Sequence, residues 1–190
     1  MHALGPRGAV FLDRDGTINV KAPEGDYITE PHRVTLLPGA ANAIRQLNDE
    51  GAPVIVVTNQ RGIALGRMTE ADLADVEDRL RSTLRETAGA RLDAIFHCPH
   101  DVHLCLCRKP LPGLIYHAQT WRPEIDLTQS IIIGDSRSDM VAGERAGLST
   151  ILLGEDACDL ADAVGGVLST TRLVAPARFA LQRGLHRVIP

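Results

Sequence analysis

Short apolar, largely β-branched runs at 9–12, 54–57, 131–133 and 150–153 each end in polar or glycine-rich turns, the pattern of parallel strands buried on both faces. Weaker runs at 94–96 and 167–168 predict two further strands. Between them, apolar residues recur at helical spacing over 40–50, 69–88, 113–121 and 139–146, and in the second stretch Leu73, Val76, Leu80 and Leu84 share a face. This alternation predicts an α/β fold: a doubly wound, mainly parallel sheet with helices on both faces. The carboxyl ends of such strands lie along one edge, so residues that follow separate strands meet there. Gly165-Gly166 and the basic stretch 183–187 read as a loop and a frayed terminus; beyond about residue 170 the pattern suggests only a terminal helix at 173–182.

With 190 residues, 44% of them hydrophobic, the chain can bury a sizeable core, and a single domain over 1–190 is expected. The formal charge of −4, from 20 basic and 24 acidic residues, includes no polybasic run that would follow a nucleic acid or an anionic membrane. A small soluble partner is expected instead. Residues 1–8 lack the basic start and apolar core of a signal peptide, which points to the cytoplasm.

The first strand runs directly into Asp13-Arg14-Asp15-Gly16-Thr17, bringing two carboxylates to the sheet edge ahead of a glycine that permits a tight turn. Such a pair can divide its labour: Asp13, kept ionised by a bound cation, attacks phosphorus, while Asp15 holds a proton for the leaving oxygen and later takes one from water. A later strand ends in Gly134-Asp135-Ser136-Arg137-Ser138-Asp139, a second acidic pair at the same edge. A hard divalent ion relieves the repulsion among these groups; Mg²⁺ suits Asp13 and Asp135 as side-chain ligands, with the carbonyl of Asp15 as a third. The second strand delivers Thr58-Asn59-Gln60-Arg61-Gly62 to hold phosphate oxygens, and Lys109 adds a cation. Taken singly, each fragment also reads as ordinary turn or helix-cap chemistry.

A second constellation crowds three cysteines and three histidines into 97–107. Three close thiols leave one unpaired in any disulfide scheme, whereas Cys98, His100, Cys105 and Cys107 supply the four soft donors of a closed tetrahedral zinc site. Zinc there is structural and fixes the adjoining Arg108 and Lys109. His103 in place of His100, or a set of buried free thiols, are the alternatives. Cys158 is expected to be an inert thiol.

These segments, in this order, resemble the four motifs of the haloacid dehalogenase superfamily: Asp13 to Thr17, Thr58, Lys109, and Asp135 with Asp139. The resemblance spans about residues 9–153. It implies a Rossmann-like core, Asp13 as nucleophile, Asp15 as acid/base, Thr58 and Lys109 on the phosphoryl group, and Mg²⁺ at the Asp13, Asp15 and Asp135 positions. No stretch is long enough for a large cap domain, so short loops must close the site. The denser pattern Cys98-Pro99-His100 with Cys105-Leu106-Cys107-Arg108-Lys109-Pro110 is similar to the subgroup of heptose 1,7-bisphosphate and histidinol-phosphate phosphatases. The run from Thr58 to Glu70 favours the heptose type, which implies removal of the C7 phosphate of D-glycero-D-manno-heptose 1,7-bisphosphate by a monomeric enzyme; a non-catalytic phosphate-binding module is a remoter alternative. By the same resemblance Gly25, Asp26, Tyr27, Asn59, Gln60, Arg61 and Arg108 contact substrate. The loop between His100 and Cys105 is short, as in the histidinol-phosphate type and shorter heptose-type relatives, and the chain departs from the pattern in Ser136, where many members carry lysine, and in the insertion 21–24.

Overall fold

The computed structural model describes residues 7–154 and 159–173. Five strands, β1 (Val10–Leu12), β2 (Val54–Asn59), β3 (Ala94–Cys98), β4 (Ile131–Gly134) and β5 (Ser149–Leu152), form one parallel sheet in the order β3-β2-β1-β4-β5. Among the described residues five α-helices connect or follow them: α1 (Ala40–Asp49), α2 (Glu70–Ala88), α3 (Gly113–Trp121), α4 (Arg137–Ala146) and α5 (Leu160–Leu173).

The period-two alternation of strand side chains divides the core into two layers. Val10, Leu12, Val54, Val56, Ile131 and Ile133 pack against the apolar faces of α1, α2 and α5. Phe11, Ile55, Val57 and Ile132 face the other way, against Leu114, Ile115 and Ala118 of α3 and Ala142 of α4. A sheet covered on both faces buries its central strands completely, which is why these segments read as unbroken apolar runs.

The boundaries follow local chemistry. Thr69 caps α2 by accepting from the backbone N–H of Asp72, whose carboxylate accepts in return from the Thr69 N–H. Gly89 and Gly147 close α2 and α4 in the left-handed region.

One expected element differs. Val167 and Leu168, read as a strand, and Gly165-Gly166, read as a loop, lie within α5. Leu160, Ala163, Val164, Val167 and Leu168 recur at helical spacing and are buried, whereas Gly165 is exposed. The glycines therefore weaken the helix without breaking its core face. Cys158, the 183–187 stretch and nearly all of the terminal helix expected at 173–182 fall outside the described residues. Among the described residues, no helix is long and apolar enough to cross a membrane.

Candidate active site

Every strand contributes its carboxyl end to one edge, and the three central ones deliver the acids and the phosphate-holding segment. The β1–β4 ladder continues one residue past β1, where the Asp13 N–H donates to the Ile133 carbonyl at 3.0 Å. Beyond it the chain coils tightly, the N–H groups of Thr17, Ile18 and Asn19 converging on the Arg14 carbonyl. Gly16 makes this turn at φ +87°, and a Cβ there would stand 2.2 Å from Asp135 Oδ2. The glycine is thus required by both conformation and space.

Asp13, Asp135 and Asp139 form one acidic cluster, with a carboxylate oxygen of each within 4.8 Å of the others. Lys109 reaches into it from the loop before α3. Its buried ammonium lies 2.8 Å from Asp13 Oδ1 and 2.5 Å from Asp139 Oδ1, and donates to the Val57 carbonyl at 2.7 Å. Burial works to lower the Lys109 pKa, but Asp13 and Asp139 outweigh it and the value is raised. Burial is also the largest influence on Asp13, pushing it to about 6 with help from Asp139 and against the pull of Lys109. Asp139 has a second task, since its Oδ2 accepts from the Ser136 N–H at 3.1 Å and the Ser136 hydroxyl at 2.5 Å, closing the first turn of α4.

Asp15 stands apart from this cluster. Its Oδ1 accepts from Arg14 Nε at 3.2 Å, Arg14 Nη2 at 3.0 Å and Asn19 Nδ2 at 2.9 Å, and its Oδ2 accepts from Gln60 Nε2 at 3.0 Å. Gln60 also donates to the Thr58 hydroxyl at 2.9 Å. Asn59 and Lys109 exchange two 3.0 Å bonds, Asn59 Nδ2 to the Lys109 carbonyl and the Lys109 N–H to Asn59 Oδ1, so the side chain of one loop holds the backbone of the other.

The four zinc candidates sit together at the end of β3. Cys98 Sγ lies 3.5 Å from Cys105 Sγ, 3.3 Å from Cys107 Sγ and 3.6 Å from His100 Nδ1, with 3.3 Å between Cys107 Sγ and His100 Nδ1. Donors about 2.3 Å from a tetrahedral centre are separated by roughly 3.8 Å, so this grouping suits zinc with little adjustment. His103 is not among the four. Burial raises the thiols of Cys98 and Cys107, the latter to about 12. Burial also opposes ionisation of Cys105, but the Arg108 N–H and the neighbouring thiols outweigh it and hold that group at about 7.

A model of HAD-hydrolase-like proteins matches residues 106–176. The D-glycero-β-D-manno-heptose-1,7-bisphosphate 7-phosphatase of Rhodopseudomonas palustris is 42% identical over 158 residues, covering 78% of this chain and 84% of its own. The enzyme of the same name from Escherichia coli is 37% identical over 153 residues, covering 76% and 78%. The chain belongs to this family of haloacid dehalogenase-like phosphatases. Among solved structures, the D,D-heptose 1,7-bisphosphate phosphatase of B. bronchiseptica, complexed with magnesium and phosphate, superposes with a TM-score of 0.78 at 31% identity, covering 86% of this chain and 99% of that one.

The acidic cluster could hold a divalent ion such as Mg²⁺, and its donors fit. Asp135 Oδ1 is buried with no hydrogen-bond partner, although a buried carboxylate oxygen demands one. Asp135 offers that free oxygen and Asp13 lies grouped with it, whereas both oxygens of Asp15 are taken by side chains, which leaves its carbonyl as the group by which that residue would contribute.

The remaining sequence candidates scatter around the rim. Arg61 pairs with Asp101 of the zinc loop, Nε to Oδ1 at 2.5 Å. Asp26 pairs with Arg33, which also donates to the Tyr27 carbonyl at 2.7 Å, and the Tyr27 ring lies against Gly62. Gly25 turns at φ +80°, and Arg108 Nη1 donates to the His100 carbonyl at 3.5 Å.

Three residues escaped the sequence reading. Arg14 and Asn19 are almost wholly buried on Asp15, and a charged residue at a strand exit between two aspartates was the available signal. Lys21 of the 21–24 insertion reaches Asp135 Oδ2 at 2.5 Å, so a cation stands beside Asp135 although Ser136 is not lysine.

Proposed function

We propose that the chain is a cytoplasmic, monomeric, single-domain phosphatase that removes the C7 phosphate of D-glycero-D-manno-heptose 1,7-bisphosphate through an aspartyl-phosphate on Asp13. The observation that carries the chemistry is Asp13 at the sheet edge, 2.8 Å from the Lys109 ammonium and grouped with Asp135. The names and identities of the relatives support the substrate.

An oxygen of Asp13 forms a bond to phosphorus as the bond from phosphorus to the sugar oxygen breaks, and Asp15 delivers a proton to that departing oxygen. Water then attacks the same phosphorus, gives its proton to Asp15 and releases inorganic phosphate with Asp13 restored. Thr58 and Lys109 steady the phosphoryl oxygens throughout. Mg²⁺ held by Asp13, Asp135 and the Asp15 carbonyl supplies the charge that lets two anions approach. Gly25, Asp26, Tyr27, Arg61 and Arg108 are the rim from which sugar and second phosphate are read, with Arg108 suited to a bidentate contact, while Asn59 holds the Lys109 backbone behind it.

Histidinol phosphate is the second reading, since the short loop between His100 and Cys105 is compatible with that type as well as with shorter heptose-type relatives. Phosphate release from the two compounds, assayed side by side with Mg²⁺, separates them. Higher kcat/KM on the heptose bisphosphate is expected; a large preference for histidinol phosphate overturns the substrate assignment.

A further inference from the structure

We infer that Gln60 is a positioning residue: its side-chain amide sets the orientation of both the Asp15 carboxylate and the Thr58 hydroxyl. The inference rests on the roles given to those two groups above.

Gln60 is 1% exposed and directly follows β2. The contact is Nε2 to Oδ2 at 3.0 Å, the orientation that an ionised Asp15, as it stands before taking the proton of the attacking water, requires of the amide. The second proton on that nitrogen is given to Thr58 Oγ1 at 2.9 Å. Both amide donors are therefore committed within the protein and none is left for a sugar or phosphate oxygen. This moves Gln60 from the substrate-contacting set to the groups behind it.

The consequence for Thr58 follows from the valence of a hydroxyl. Its oxygen accepts from Gln60, so its own proton must point elsewhere, and the Thr58 hydroxyl becomes a committed donor toward the place where a phosphoryl oxygen sits. An undirected hydroxyl would lose part of that interaction to rotation. Asp15 is held by three residues: Asn19 on Oδ1, Gln60 on Oδ2 and Arg14 against both oxygens. Gln60 is the one that also touches the phosphate-holding group, so it fixes the acid/base relative to the phosphoryl position.

The backbone that carries this side chain is itself anchored. The Gln60 N–H donates to the Cys98 carbonyl at 2.8 Å, and Cys98 is one of the four zinc candidates. The zinc loop thus reaches the chemistry by a second route besides Lys109.

The test compares Gln60→Met, which keeps length and volume but has no donor, with Gln60→Glu, which turns an acceptor toward Asp15. A positioning role predicts that kcat of Gln60→Met falls by about 10–100-fold with KM within roughly threefold, and that Gln60→Glu falls further. A rise in KM with kcat unchanged would make Gln60 a substrate contact and overturn the inference. Nuclear magnetic resonance of the unmodified protein needs no turnover. The Gln60 side-chain amide protons should exchange slowly with solvent, and Thr58→Val should expose one of them; fast exchange of both in the unmodified protein also overturns the inference. A protected amide in a protein that leaves both phosphate esters untouched would instead defeat the proposed activity.

Discussion

Lys109 is the most constrained side chain of the site, a buried cation between Asp13 and Asp139 with a backbone carbonyl as third acceptor. Replacing it by methionine strands two buried carboxylates, and removal of one member of such a pair costs about 3–5 kcal/mol. Lys109→Met should therefore unfold at markedly lower denaturant near neutral pH, and the deficit should shrink in acid, where the stranded groups can take up protons. Denaturant midpoints at two pH values check this. Asp13 gives a second prediction. Its pKa is raised to about 6, mainly by burial, and a nucleophile must be ionised. With limiting Mg²⁺, kcat/KM should fall as pH drops through about 6; added Mg²⁺ favours the ionised form and should move that limb to lower pH. A limb that ignores Mg²⁺ would contradict the placement of the ion beside Asp13. At this scale the acids and Lys109 were legible in the sequence because each directly follows a strand or a zinc-binding segment. The amides were not: a residue such as Asn59 or Gln60 suits either a ligand or a neighbouring loop, and only packing decides which way it points.

Among the elements, the zinc loop carries the clearest mechanical coupling. Cys107 lies two residues before Lys109, the first residue of α3 is Gly113, whose Cβ would stand 2.3 Å from the Leu106 carbonyl, and the Ala64 N–H donates to the Pro99 carbonyl. Stripping zinc with a chelator should therefore lower kcat and thermal stability together, with Tm falling roughly 4–8 °C for a loss of about 2 kcal/mol, and re-added zinc should restore both. Loss of stability with kcat intact would show that the loop is not coupled to the site. The strands were legible because a sheet covered on both faces needs apolar residues at every position, and such runs stand out. Helix α5 was obscured by Gly165-Gly166, which interrupts the composition of a segment whose buried residues nevertheless keep helical spacing.

Over the molecule as a whole, the topology gathers residues as distant as 13, 58, 109 and 135 because a parallel sheet brings its carboxyl ends to one edge. Short loops surround that edge in place of a large cap, and beside the acidic cluster lies a cleft of about 670 Å³ bordered by Gly16, Thr17, Lys21, Pro38, Asp135 and Leu160. That volume falls within the range of small-molecule sites. The order of the motifs made this architecture readable from sequence, whereas Lys21 was not, since nothing in its neighbours signals that the insertion folds back onto Asp135. The proposed activity depends on phosphoryl transfer to one carboxylate. Acid quenching of the Mg²⁺-loaded enzyme during turnover of the heptose bisphosphate, followed by mass spectrometry of its peptides, reads this directly. One phosphoryl group on Asp13, absent from Asp13→Asn together with all phosphate release, is the predicted result; continued turnover by Asp13→Asn, or a phosphoryl group on another residue, would contradict it.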